Sequence, residues 1–288
     1  MSFSEKNFKY TFVLFILIII GIYLFVTAPD KLADKAIDAD VTVSAEEAIS
    51  ILATEQSSIR AIYTKEIVGA GLKAGLNFNE LWKDEAVHAG PLPALLLRET
   101  SNRMFLKSPE LNFFLGSDYP IVKENLFTEA QLAYFEKVKN TQNSVFFYDE
   151  KLKRTVGMFP DFASANACVT CHNEHKASPK NDWKLNDIMG ATTWAYTGKT
   201  MSATTLASLI KNLRNSSYES YASYLDKVQK FDKEQNIKIG NQWPSDGLFL
   251  PDLKNFKNKI EKSNSDHTLN KLLTIYENQS KKTDSFKN

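Results

Sequence analysis

Two cysteines in 288 residues are too few for a small domain held by several disulfides. Eleven glycines and nine prolines exclude collagen-like and low-complexity chains. Thirty-five Lys and Arg stand against 34 Asp and Glu, so a formal charge of +1 leaves no global basic field, and nucleic acid is not an expected partner. Only four histidines occur, and neither a Ser/His/Asp arrangement nor a phosphate-binding loop is legible, so no enzyme is expected. What the chain does have is 43% apolar and 12% aromatic residues, enough for the core of one or two domains.

Charge is missing altogether between Lys9 and Asp30, and Phe12 to Val26 is apolar apart from Gly21 and Tyr23. At ~1.5 Å per residue, roughly twenty residues reach ~30 Å, the thickness of a bilayer core. The run exceeds the ~7–15 apolar residues of a signal peptide and no small-x-small cleavage site follows it. The expectation is an uncleaved transmembrane anchor over residues 10–29, behind a short cytoplasmic segment over residues 1–9 that carries Lys6 and Lys9. The remainder would lie in the periplasm, tethered to the inner (cytoplasmic) membrane.

Apolar residues from Ala48 to Val68 recur at three- and four-residue spacing, predicting an amphipathic helix from Ala45 to about Lys73 that breaks at Gly69, Gly71 and Gly75. A Pro-initiated helix is expected over Pro91 to Glu99. Leu111 to Leu115, Ser144 to Tyr148 and Arg154 to Phe159 read as strands, and Phe127 to Val138 as a helix. This irregular alternation argues α+β. After Gly198 a helical stripe runs from Leu206 to Phe231, interrupted around Asn215 to Tyr218, and short helices are expected around Phe256 and Leu272. Residues 30–198 carry a net charge of about −5 and residues 199–288 about +5.

Both cysteines fall in Cys168-Val169-Thr170-Cys171-His172, the c-type haem attachment pattern. Two thiols on one helical turn can each add to a vinyl group of one porphyrin, and the adjacent imidazole then meets the iron as proximal ligand. The competing readings are a thioredoxin-like thiol pair, a strained short disulfide, and a zinc site of Cys168, Cys171, His172 and His175.

Around the motif, Asn173, His175, Ser178-Pro179-Lys180, Asp182-Trp183-Lys184, Asp187 and Gly190, with Pro91-Leu92-Pro93-Ala94, Arg98-Glu99 and Ser117-Asp118-Tyr119-Pro120 upstream, resemble the PAS-like c-type haem-binding domains, a family first catalogued as a domain of unknown function. The likeness covers roughly residues 45 to 197. It implies a PAS-like antiparallel sheet with flanking helices over residues 30–198, preceded by the transmembrane helix and followed by a helical C-terminal extension over residues 199–288. It also implies one covalently bound haem c, in domains that occur alone in the periplasm or as sensors of membrane-bound signalling proteins. Asn186 and Met189 depart from the Gly-Asp-x-Arg-Gly stretch of relatives, which removes a propionate-binding Arg at that place.

Lys180 and Lys184 are candidates to neutralise haem propionates, and Trp183 to pack on the macrocycle edge. The sixth iron position has three readings: a Met, a second His, or a vacancy open to NO or CO. His88, just before the Pro91-Leu92-Pro93 segment, is the candidate distal ligand, whereas Met104, Met158, Met189 and Met201 read as core fillers. Two functions follow. One is a haem-based redox or gas sensor acting through a separate signalling partner, and the other is a tethered monohaem electron carrier with a redox partner.

Overall fold

The computed structural model describes residues 42–231 and 235–285. The chain begins with β1 (Thr42–Ser44) and α1 (Ala45–Ile62), where the Ser44 hydroxyl accepts from the Glu47 N–H and Glu46 and Glu47 face the positive end of the helix dipole. The helical path does not stop at the first glycine. It widens into a π-helical stretch, Tyr63–Gly69, and continues as α2 (Ala70–Ala74) until Gly75, whose φ of 97° ends it in the left-handed region. The short parallel pair β2 (Phe78–Asn79) and β3 (Gly90–Pro91) leads to α3 (Pro93–Lys107), which opens with proline where a missing N–H costs nothing.

Strand β4 (Leu111–Gly116), helix α4 (Glu129–Thr141, closed by a Thr128/Gln131 capping box), strands β5 (Val145–Asp149) and β6 (Arg154–Phe162), helix α5 (Asn166–Glu174) and strand β7 (Ile188–Thr197) follow. The four strands form one antiparallel sheet in the order β4-β7-β6-β5. Residues alternate along β7 so that Trp194 and Tyr196 enter one core while Ala191 and Ala195 face another. On the first face, Phe113 stacks on Trp194 at 4.2 Å beneath Ile49 and Leu52 of α1. On the second, Phe127, Phe135 and Val138 cover Val156 and Met158.

The chain then passes β8 (Thr200–Ser202), which pairs with β1, and enters α6 (Ala203–Val228). The expected interruption at Asn215 to Tyr218 is absent because the small side chains there are buried: Ser217 and Ser220 turn their hydroxyls back to the Leu213 and Ser216 carbonyls, letting α3 lie close along α6. A parallel pair, β9 (Lys238–Gly240) and β10 (Phe249–Pro251), precedes α7 (Leu253–Ser285), one helix where two short ones were expected. The described residues all fall within one compact unit.

The expected architecture needs correction. Among the described residues the strands form one four-stranded sheet and three two-stranded pairs in an α+β unit, and no helix there is long and apolar enough to cross a membrane. The longest, α6 and α7, carry Lys, Asp and Glu along their lengths. The anchor expected over residues 10–29 and the segment over residues 1–9 lie outside the described residues. Leu206, Leu209, Leu213 and Ile275, all beyond residue 198, enter the core that holds Trp194.

Candidate functional site

Helix α5 is preceded by Ala165, which offers no side-chain cap, and is followed by His175, whose N–H reaches the Cys171 carbonyl. Cys168, Cys171 and His172 therefore share one face, at i, i+3 and i+4. Both cysteines are free thiols, Cys168 half-buried and Cys171 exposed. The sheet around α5 has no parallel strand–helix–strand unit of the thioredoxin kind, because β6 and β7 run antiparallel. Among the described residues no group of three or more His, Cys, Asp or Glu is arranged to hold a metal ion, so the four zinc candidates are not assembled into such a site.

Burial pushes the His172 imidazole below its ordinary value of 6.5, against the opposing field of Asp161 and with help from His175. The ring is accordingly neutral at pH 7, the form that binds iron. Its Nδ1 is buried without a hydrogen-bond partner. Partial desolvation, then the Glu80 carboxylate, raises the Cys171 thiol, which stays protonated at pH 7.

The loop after α5 is fastened to it by Asn173, whose amide accepts from the Trp183 N–H at 2.9 Å and donates to the Trp183 carbonyl at 3.0 Å. Trp183 is buried, meets Tyr119 edge to face at 6.3 Å, and has an indole N–H with no partner. The Lys180 ammonium lies over the indole at 4.8 Å and pairs with Asp182. Lys184 is exposed, and its backbone N–H is held by Asp187 at 2.8 Å. Leu81, Tyr119, Phe162 and Leu185, on segments bordering α5 and this loop, are exposed apolar side chains.

Cys168, Cys171 and His172 thus share one helical face, and the loop that carries Lys180, Trp183 and Lys184 is tied to that helix through Asn173. His88 is engaged elsewhere. Its ring stacks on Phe231 at 4.9 Å and meets the Gln235 amide at 3.3 Å, in a cavity of about 560 Å³ whose lining includes no α5 residue. His175 is turned to Glu80 at 3.3 Å and accepts from the Ala177 N–H. Sequence reasoning missed the bidentate ion pair of Arg60 and Asp161 between α1 and β6; the signal was a lone cation at the end of a buried stripe, between Ile59 and Ile62.

An orphaned imidazole nitrogen, two free thiols on the same helical face, an unpartnered indole N–H and an apolar rim fit a flat, hydrophobic cofactor carrying anionic arms. Fold and site together define an α+β domain that presents a Cys/Cys/His helix for such a group. The chain belongs to the Tll0287-like family, whose model matches residues 35–196, more than half its length and nearly the stretch on which the sequence resemblance rests. That membership is consistent with a haem-binding domain. No curated protein and no solved structure matches the chain.

Proposed function

We propose that this protein is a periplasmic monohaem c-type protein that works as a haem-based redox or gas sensor through a separate partner. In this reading Cys168 and Cys171 hold one haem c through thioethers and His172 is the proximal iron ligand. The observation that carries it is the common face of Cys168, Cys171 and His172 on α5, with both thiols free and Nδ1 of His172 buried and unpartnered. Each thiol adds across one vinyl double bond, sulfur bonding the inner carbon and the thiol hydrogen ending on the outer one, so attachment needs no net oxidant. Bound haem supplies a reversible one-electron couple and a place for a diatomic ligand.

The protein's own groups have separable tasks. Burial keeps the His172 imidazole neutral, and Asn173 ties the Trp183 backbone to the helix that carries it. Lys180 and Lys184 stand on the same loop as cations for propionates. Sensing is favoured because β6, the strand that precedes the motif, packs on α1, which in turn packs on α6 and α7 and so joins that strand to distant surface. Electron transfer is the second reading, favoured by the exposure of Cys171, which would leave that haem edge near solvent for a redox partner.

The test is a pyridine haemochrome and ligand-binding spectrum on the full chain, matured in cells competent for c-type attachment. A two-thioether spectrum with a sixth position open to NO or CO supports the sensor. Covalent haem with two strong ligands and fast electron exchange supports the carrier, and a chain without covalent haem overturns both.

A further inference from the structure

The cavity of about 560 Å³ that holds His88 is lined by α6, by the segments around Leu76 and Val87, and by Phe231, Gln235, Ile237 and Leu248. Its volume falls within the ~300–1,000 Å³ of small-ligand sites. The walls are largely apolar, and among the described residues no Asp, Glu, Lys or Arg lines it. Lys227 stands close by on α6, but its ammonium donates to the Trp82, Asp84 and Val87 carbonyls, the last two at 2.7 Å. An ammonium has three hydrogens, so none is left for an anion. The same three bonds fasten the segment that carries His88 to α6.

Two side chains of this lining have hydrogens to give. Tyr224 is 1% exposed. Its ring lies against the Gly90 backbone, where a Cβ would stand 2.5 Å from Cζ, and meets Phe78 at 6.0 Å, which holds it in place. The neighbouring Tyr63 and Tyr221 hydroxyls donate to the Pro91 and Pro251 carbonyls at 2.6 and 2.7 Å. The Tyr224 hydroxyl has no hydrogen-bond partner among the described residues. In His88, stacked on Phe231, Nδ1 faces the Gln235 amide nitrogen at 3.3 Å. An amide nitrogen only donates, so Nδ1 accepts and Nε2 carries the ring hydrogen.

We propose that this cavity binds a neutral, planar ring bearing carbonyl oxygens, the quinone class, with Tyr224 O–H and His88 Nε2–H donating to those oxygens. Acceptors on the ligand complete a buried hydroxyl that the protein leaves without a partner, which is where a hydrogen bond gains most. The lack of a charged lining residue disfavours a carboxylate or phosphate, and the apolar walls suit a ring better than a sugar. No α5 residue lines the cavity, so this site is separate from the one proposed for haem and stands whether or not haem is attached.

The experiment is equilibrium dialysis of the full chain against tetramethyl-1,4-benzoquinone, whose ring has no open position for addition of the Cys168 or Cys171 thiol. Saturable binding of one equivalent is expected. Tyr224→Phe and His88→Phe, which keep the rings and remove the donors, should each weaken it by about three- to tenfold. Leu248→Trp, which fills the cavity, should abolish it. Thermal unfolding by circular dichroism near that of the parent shows that the two Phe variants have lost a donor and not the fold. Absence of saturable binding, unchanged affinity in both Phe variants, or tighter binding of decanoate, an apolar chain ending in a carboxylate, overturns the inference. None of these outcomes bears on covalent haem, which the haemochrome spectrum reads independently.

Discussion

At the junction of α1, α6 and α7, Glu55 is 2% exposed, whereas along the nine residues of α5 none is buried. The Glu55 carboxylate takes Arg214 Nη2 at 2.7 Å and Nε at 3.1 Å, the Asn264 amide at 2.8 Å, and the Thr268 hydroxyl. Every acceptor site of that carboxylate is used, and three helices distant in sequence are tied at one point. Helix α5 has instead two free thiols, an imidazole nitrogen without a partner, and beside it an indole N–H without one. The Glu55 carboxylate is completed by protein donors, while the α5 face keeps thiols and an imidazole nitrogen that no protein group takes up. Stability and function are housed apart.

Breaking the first region should cost most. Glu55→Ala strands Arg214 and frees Asn264 and Thr268, and is expected to lower unfolding free energy by about 3 kcal/mol in a denaturant titration. A loss below ~1 kcal/mol would mean that the junction is not an anchor.

The aromatic core beside that junction responds to alkali. Burial raises the Tyr63 and Tyr221 hydroxyls well above 10.0, Tyr218 to about 12, and Tyr224 still higher. The unfolded chain ionises near 10 and the folded chain later, so stability is complete below pH 10 and falls as pH rises beyond it. Haem-free protein should unfold cooperatively there, monitored by far-UV circular dichroism, and Tyr218→Phe should blunt the slope. A flat profile between pH 10 and 12 would contradict this.

In the second region, Asn173→Ala removes both bonds to the Trp183 backbone at an expected cost of about 1–2 kcal/mol. Amide exchange should quicken in the 175–187 loop and leave α1 and α6 unchanged; a global increase would show that the loop and core are one unit. The smallest stability effect is expected for Cys168→Ser, below ~0.5 kcal/mol in haem-free protein because the thiol makes no structural bond. The same change should leave one vinyl group unreacted and red-shift the haemochrome band, sharpening the contrast between a site dispensable for folding and one needed for attachment.

Much of the local structure was legible. The spacing from Ala45 to Val68, the proline before α3, and the aromatic runs of β4 and β5 appear where their patterns place them, because each depends on neighbours within a turn or a pleat. Strand β7 was missed although it lies at the centre of the sheet. Buried on both faces, it lacks the alternation that marks a half-exposed strand. The polar serines of α6 misled for the converse reason, since what hides them is the close approach of α3. His88 shows the same limit: nearness in sequence to Pro91 said nothing about Phe231 and Gln235, which hold its ring.

By itself the sequence determined the two thiols and the imidazole as one helical face, since a fixed rise and turn per residue place i, i+3 and i+4 together whatever surrounds them. Only the tertiary structure decided which charges pair across the fold and which carboxylate locks the helices. Arg60 and Asp161 are 101 residues apart, and Glu55 and Arg214 are 159 apart. Such pairs are selected by the packing of whole elements, which no local periodicity encodes.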